Sequence, residues 1–472
     1  MKNDVRFTVP TQTIKVLRTS QERNVWGNRN RSLIVFVALF IVLVPVFWLN
    51  AMGTADTKSF DSWQRDSESL VLAKIESERV DKPFDTHGMV RAAPDIYSVY
   101  KTIDLPNIGA TTSATATYRA YDSQLGAMGY FYSALYLHTP CSSLSCLHLT
   151  SSTLFSLTLV ALVYLLGLLA RRSFAIIFLL SVIGSPWLVT SARNLYWSPW
   201  TWLLPTCAAA LFVLAKRRRW RVASLALLFV AFVIRFGSGY EFLTSLSLMA
   251  IAMPVLAFLF AVEWSRGIAK RALKDALSIF LVSIGAFVIV LLVHGYVRGN
   301  GSIFSGISAI VQKDVLRRTY GSATSFDPIY GPSLKANVGS VLHKYLFEWR
   351  TDFISIGSGA PLTLTLGRTA LWTLIGICVV IIALRFAKRD SLWIRDSLLI
   401  GITAAIPLSW FVLAKSHSFI HIVINFVLWY LLFAGALFFV IYNFLVTQPL
   451  VGTLRTRISR KLPTNEKNVP HP

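Results

Sequence analysis

Several short motifs are missing from this sequence, and each absence narrows the chemistry. There is no Walker A motif, which argues against ATP-driven pumping by the chain itself. No GxGxxG follows a strand pattern and no GxSxG elbow occurs, so the dinucleotide-binding and serine-hydrolase signatures are absent. No low-complexity tract or internal repeat stands out. Acidic residues are scarce, 23 against 46 Lys and Arg, and 11 of the 23 fall between residues 51 and 148. Cysteine is rare as well, at four. Cys207 and Cys378 fall inside apolar runs, whereas Cys141 and Cys146 bracket the hexapeptide CSSLSC. In an oxidising compartment that pair can close a small disulfide loop; disulfide and free thiols both stay open. Zinc is the weaker reading, because His138 and His148 do not complete a recognised ligand spacing.

What the chain has in excess is apolar length. Hydrophobic residues make up 54% of it, above the roughly 45–50% of soluble globular proteins. They gather in ten runs, at 34–50, 150–170, 174–190, 200–215, 222–236, 243–262, 276–295, 369–387, 397–414 and 420–445. A helix of about 20 apolar residues crosses a ~30 Å hydrocarbon core. The runs are continuous rather than alternating, so helices, not a barrel, are what satisfies the backbone in lipid.

The net charge of +23 invites a nucleic-acid reading. The positions of the charges argue otherwise. With a cytoplasmic N-terminus, 27 of the 46 Lys and Arg fall in short inside segments, while the longer outside loops share 19. That is the positive-inside bias, and no nucleic-acid partner is expected. The first run reads as an anchor rather than a cleaved signal, because a long polar stretch precedes Leu33.

The expected fold is an all-α polytopic membrane protein with about ten transmembrane helices and two large extracytoplasmic loops. Residues 1–33 form a cytoplasmic segment, 34–50 the first span and 51–148 the first loop. Residues 149–295 carry spans two to seven, 296–368 the second loop, 369–445 spans eight to ten, and 446–472 a cytoplasmic tail. Helix-like apolar spacing recurs within the second loop, over Ile307–Tyr320 and Ala336–Phe353. A bacterial inner (plasma) membrane suits this layout, with both termini cytoplasmic.

Polar groups at membrane depth are costly and tend to be functional, so the outer ends of the spans hold the candidate chemistry. Asp66 and Glu68 open a segment whose Leu70, Val71, Leu72 and Ile75 suggest a short amphipathic helix lying on the membrane. Two residues apart on a helix, the carboxylates point about 200° apart, so only one is expected to face a shared pocket. A partly desolvated carboxylate there suits a general base; the plainer reading is a pair of solvated surface acids. In Tyr121–Tyr130, Gln124 offers hydrogen bonds to a polar ligand, and Gly126 and Gly129 permit close backbone approach.

Arg193 and Arg235 sit on the side disfavoured for positive charge, which an aromatic belt does not explain. Their guanidinium forks suit a lipid phosphate or pyrophosphate; the plainer reading pairs Arg235 with Glu241. Lys415, His417 and His421 form a third group, the two His four apart on one helical face. No HExxH-type Glu lies between them, so phosphate or an interfacial role is preferred to zinc.

This layout resembles the GT-C superfamily of membrane glycosyltransferases: a cytoplasmic start, one span, an outer loop with the early acids Asp66-Ser67-Glu68, then many spans and a second large outer loop. The resemblance implies transfer of a sugar from a polyprenyl-(pyro)phosphate donor to a glycan, lipid or protein acceptor at the outer face of the membrane. It implies Asp66 or Glu68 as the base toward the acceptor, and Arg193, Arg235, Lys415, His417 or His421 at the lipid phosphate. No metal is assigned, and a divalent cation is left open. Two alternatives stand beside this expectation: a transporter or flippase for a lipid-linked glycan or small solute, and a polysaccharide polymerase or ligase.

Overall fold

Each of the ten apolar runs is helical, but the helices differ in length. The structure, a computed structural model, describes residues 29–80, 87–105, 117–358 and 363–447. The expected N-terminal cytoplasmic segment up to residue 28, and the tail from 448, lie outside the described residues. Six helices are long and apolar enough to cross a membrane: Ser32–Leu49, Leu144–Leu169, Arg218–Ser238, Arg266–Arg298, Ala370–Ala387 and Leu392–Leu413. Ile422–Tyr430 and Phe433–Thr447, bent by 40° at their junction, make a seventh if taken as one span. The break falls at Leu432, whose φ of 75° interrupts the helical ladder.

The remaining three apolar helices, Arg172–Ile183, Trp200–Leu214 and Leu243–Leu259, are shorter. At about 1.5 Å per residue the longest of them rises only ~25 Å. They are interior elements: 11 side chains of Trp200–Leu214 and 10 of Leu243–Leu259 are buried. The chain is thus a mostly helical protein with six, or counting the bent pair seven, helices of spanning length among the described residues. Its ten-span topology is an expectation beyond that finding.

Aromatic packing holds the bundle together. Phe47 of the first span meets Phe155 of the second edge-on at 4.7 Å, and Phe439 meets Phe174 and Phe260 edge-to-face. Phe178 packs on Gly435, where a Cβ would come within 3.1 Å of its Cα. One end of the bundle carries buried ion pairs, with Asp396 held between Arg385 and Arg395 and Asp275 held by Arg221. The opposite end carries the two long loops.

The first loop is built on the helix Arg65–Arg79. Every residue from Glu68 to Ser77 is buried, so this helix does not lie on a membrane surface as its apolar spacing suggests. It is enclosed by protein: the helix Ala127–His138, the short helix Val99–Thr102, and the antiparallel pair Val90–Ala93 and Thr117–Ala120, in register Val90↔Ala120. The close approach at Gly126 and Gly129 is made not between helices, as expected, but to the non-helical Gly88, whose carbonyl would lie 1.5 Å from a Cβ at Gly129. Cys141 and Cys146 are joined in a disulfide at the mouth of the second span.

In the second loop, Ile303–Ala309 runs through a π-helical turn at Ile310–Val315 into Leu316–Arg318. The helix Val338–Phe347 follows, so both helical patterns of the sequence are realised, the first shifted to begin at Ile303 and the second shortened. Tyr320 and Tyr345 dock these segments on the far side of the chain, donating to the carbonyls of Val412 and Ser418.

Candidate functional site

Asp66 and Glu68 leave their shared helix in different directions, as their spacing requires. Glu68 is 4% exposed and fully engaged. Its Oε1 meets His148 Nε2 at 3.0 Å and accepts the Leu195 N–H at 3.0 Å; its Oε2 accepts the Tyr100 hydroxyl at 2.9 Å. Burial works against its charge, but His148 and these hydrogen bonds outweigh it and hold the carboxyl below its ordinary range. Burial and the Glu68 charge push the Tyr100 hydroxyl up, so it remains a proton donor. Asp66 is exposed, and its charge is felt at His421.

Around His421 a second group of ionisable side chains converges from separate loops. Glu241, 4% exposed, follows the Arg218–Ser238 helix, and Arg318 ends the helical stretch of the second loop. Arg318 Nη2 lies 3.6 Å from Glu241 Oε1, and the Tyr196 hydroxyl donates to the same oxygen at 3.5 Å. Burial alone would lower the Arg318 guanidinium, yet Glu241 and the neighbouring tyrosine and aspartate oxygens raise it instead. Burial, then Glu241, pushes the Tyr196 phenol up.

The π-helical turn sets this geometry, as such turns often do at functional sites. It buries Asp314, which draws in Arg298 and, at 3.5 Å, Arg317. Arg317 also donates to the Tyr330 hydroxyl at 3.0 Å, which leaves the next residue, Arg318, to reach Glu241.

The His417 and His421 rings lie against each other at a tilt of 41°, with centroids 4.4 Å apart. Burial lowers both, and Arg317 and Arg318 lower them further, so both rings are neutral at pH 7. His417 Nδ1 is buried without a hydrogen-bond partner among the described residues. Arg318 and Glu241 are in contact, the two imidazoles lie against each other, and the charges of Arg317, Arg318, Glu241 and Asp66 are felt at His421. That combination suits a ligand with both a phosphate and hydroxyl groups.

The other sequence candidates have local partners. Arg193 donates to the Phe60 carbonyl at 2.7 Å and to Asp61 at 2.8 Å, and lies 3.8 Å over the Phe60 ring. Arg235 donates to the carbonyls of Gly239 and Glu241 at 3.1 and 2.8 Å, so it meets Glu241 through its backbone, not its carboxylate. Lys415 Nζ donates to the carbonyls of Leu334 and Ala336 at 2.7 and 2.8 Å. Gln124 is buried at the edge of the group, its amide on Met89 Sδ at 3.2 Å. Among the described residues no set of three or more His, Cys, Asp and Glu is placed to hold a metal ion.

Arg317 and Arg318 are absent from the sequence candidates, although the signal that singled out Arg193, positive charge in an outer loop, applies to them equally. No protein-family model matches the chain, and neither a curated protein nor a solved structure does.

Proposed function

We propose that the chain is a membrane glycosyltransferase of GT-C type, moving a sugar from a polyprenyl-phosphate-linked donor to an acceptor at the outer face of the membrane. The observation that carries this reading is the contact of Arg318 and Tyr196 with Glu241 at the loop-bearing end, with Asp66, Arg317 and His421 within electrostatic reach. The basic ends of the opposite face, with Arg171, Arg221 and Arg385, take the cytoplasmic side by the positive-inside rule.

In this reading the acceptor hydroxyl oxygen bonds to the anomeric carbon while the bond from that carbon to the phosphate oxygen breaks. The electron pair leaves with the phosphate, whose charge Arg318 and Arg317 meet. The hydroxyl proton passes to Asp66, an exposed carboxylate with no protein donor among the described residues. At 3.6 Å the Arg318–Glu241 contact is loose enough for a phosphate to compete for it.

A transporter remains the second reading, favoured by the broken helix pair Ile422–Tyr430 and Phe433–Thr447 beginning next to His421. Incubating purified protein with a polyprenyl-phosphoryl sugar separates the two. Free polyprenyl phosphate as product supports transfer; an unaltered lipid moved across sealed vesicles supports transport. A polymerase or ligase would give the same released lipid with a growing glycan.

A further inference from the structure

The helix Arg266–Arg298 turns one face to the protein, at Ile279, Ser283, Ala286 and Val290. Its opposite face, at Leu281, Ile284, Val288 and Leu292, is exposed. In a spanning helix lipid covers that exposed face. Gly295 and Gly299 continue it at helical spacing, and there the second loop folds back onto the span. A Cβ on Gly306 would stand 1.8 Å from the Gly295 carbonyl oxygen, so the two backbones touch. The charges set the depth of this contact, since the helix carries none between Asp275 and Arg298. A ~30 Å hydrocarbon core takes about 20 residues, so a core entered after Asp275 is left close to Gly295.

The far end of the same segment is tied at a corresponding level. Tyr320, just past Arg318, donates to the Val412 carbonyl, next to the loop-side end of the span Leu392–Leu413. Anchored at two span ends, residues 303–318 run across the bundle rather than away from it. Their surface matches that course. Gly306, Ile310 and Asp314, spaced four apart, are buried against protein. Phe304, Val311 and Val315 lie on another face and are 89%, 41% and 43% exposed. Ile303 and Leu316 are exposed beside them, while Lys313 is exposed away from the stripe. An uncovered apolar patch of this kind marks an interaction surface. This one is continuous with the lipid-covered face of the Arg266–Arg298 span, and that continuity names the bilayer as its partner.

We infer that residues 303–318 form an in-plane helix seated in the leaflet at the loop-bearing end, with Phe304, Val311 and Val315 among the acyl chains and Lys313 at the headgroups. The inference uses only the reading of Arg266–Arg298 and Leu392–Leu413 as spans, and it holds whether the chain transfers a sugar or moves one. It puts Arg317 and Arg318, at the end of the in-plane helix, at the depth of lipid phosphates.

The test uses the full chain in phosphatidylcholine nanodiscs, with Phe304→Cys, Val311→Cys or Lys313→Cys labelled by an NBD maleimide. Val315→Cys is a further reporter of the apolar face. Cys207 and Cys378 are buried and Cys141 is bonded to Cys146, so the unsubstituted chain serves as the labelling blank. At residues 304 and 311, phosphatidylcholine with a doxyl group high on its acyl chain is expected to quench at least about threefold more than aqueous iodide, and at 313 the order reverses. Moving the doxyl group to the chain end is expected to weaken quenching about twofold, because an in-plane helix sinks only ~5–10 Å. Equal iodide quenching at all three sites with no effect of the doxyl lipid puts the stripe in water and overturns the inference. Stronger quenching from the chain end means a membrane-crossing segment and overturns it as well. Labels at 304 and 311 shielded from both quenchers mean that protein, such as a second copy of the chain, covers the stripe, which also overturns it.

Discussion

Asp66 and Glu68 stand two residues apart on one helix, one exposed with its charge felt at His421 and the other closed in by His148, Tyr100 and the Leu195 amide. Glu68 joins the first loop to the second span and to the loop that bears Tyr196. It positions the helix from which Asp66 projects.

The two carboxylates should therefore fail differently. Asp66→Asn is expected to lower sugar transfer by at least about 100-fold, the lower end for a general base, with an unchanged melting temperature. Glu68→Gln keeps an acceptor but loses charge-assisted bonds, and is expected to cost about 1–3 kcal/mol of stability. Paired thermal-melt and activity measurements on the two variants check this. Equal loss of activity with no change in melting for both would contradict it.

Arg318 and Glu241 compensate each other's buried charge. Arg318→Ala leaves a buried carboxylate without its cation, a change that typically costs about 3–5 kcal/mol. Adding Glu241→Gln should recover part of that loss, and a double-mutant cycle on thermal stability reads the coupling. Additive losses would show that the contact carries no coupling.

The helical membrane class was legible because a hydrocarbon core demands long apolar runs, and all ten runs are helical, six or seven of them at spanning length. Their lengths were not, since breaks at Leu432 and at Gly184 and Ser185, which end the helix Arg172–Ile183, leave no mark in hydropathy. The divergence of Asp66 from Glu68 followed from helical geometry alone. That the Arg65–Arg79 helix is buried did not, because apolar spacing is the same whether protein or lipid covers it. Arg193, Arg235 and Lys415 drew attention through charge on a disfavoured side, but sequence cannot reveal the backbone carbonyls that occupy Arg235 and Lys415 or the aspartate beside Arg193. Arg317 and Arg318 were passed over because a pair of arginines in a polar loop looks like solvated charge.

Acid should destabilise the protein in two stages. His417 and His421 are held below 6.5, so the unfolded chain takes up protons first as pH falls past that value, and stability drops. Glu68 is held below 4.5; its contribution is present above that pH and is lost as pH falls toward its lowered value. The melting temperature is expected to be level between about pH 7 and 8, to decline below about 6.5 and to fall more steeply below about 4.5. His421→Gln should flatten the first decline. A melting temperature that rises on acidification would contradict the neutral-imidazole assignment.

The central claim is that the charged group around His421 performs sugar transfer with Asp66 as base. Its most direct test is mass-spectrometric detection of free polyprenyl phosphate after purified wild-type protein and Asp66→Asn are given a polyprenyl-phosphoryl hexose and an acceptor glycan. The account predicts release and an extended acceptor with the wild type, and neither with Asp66→Asn at equal folding. Full-rate release by Asp66→Asn, or an intact donor with wild type across the hexose panel, would contradict it.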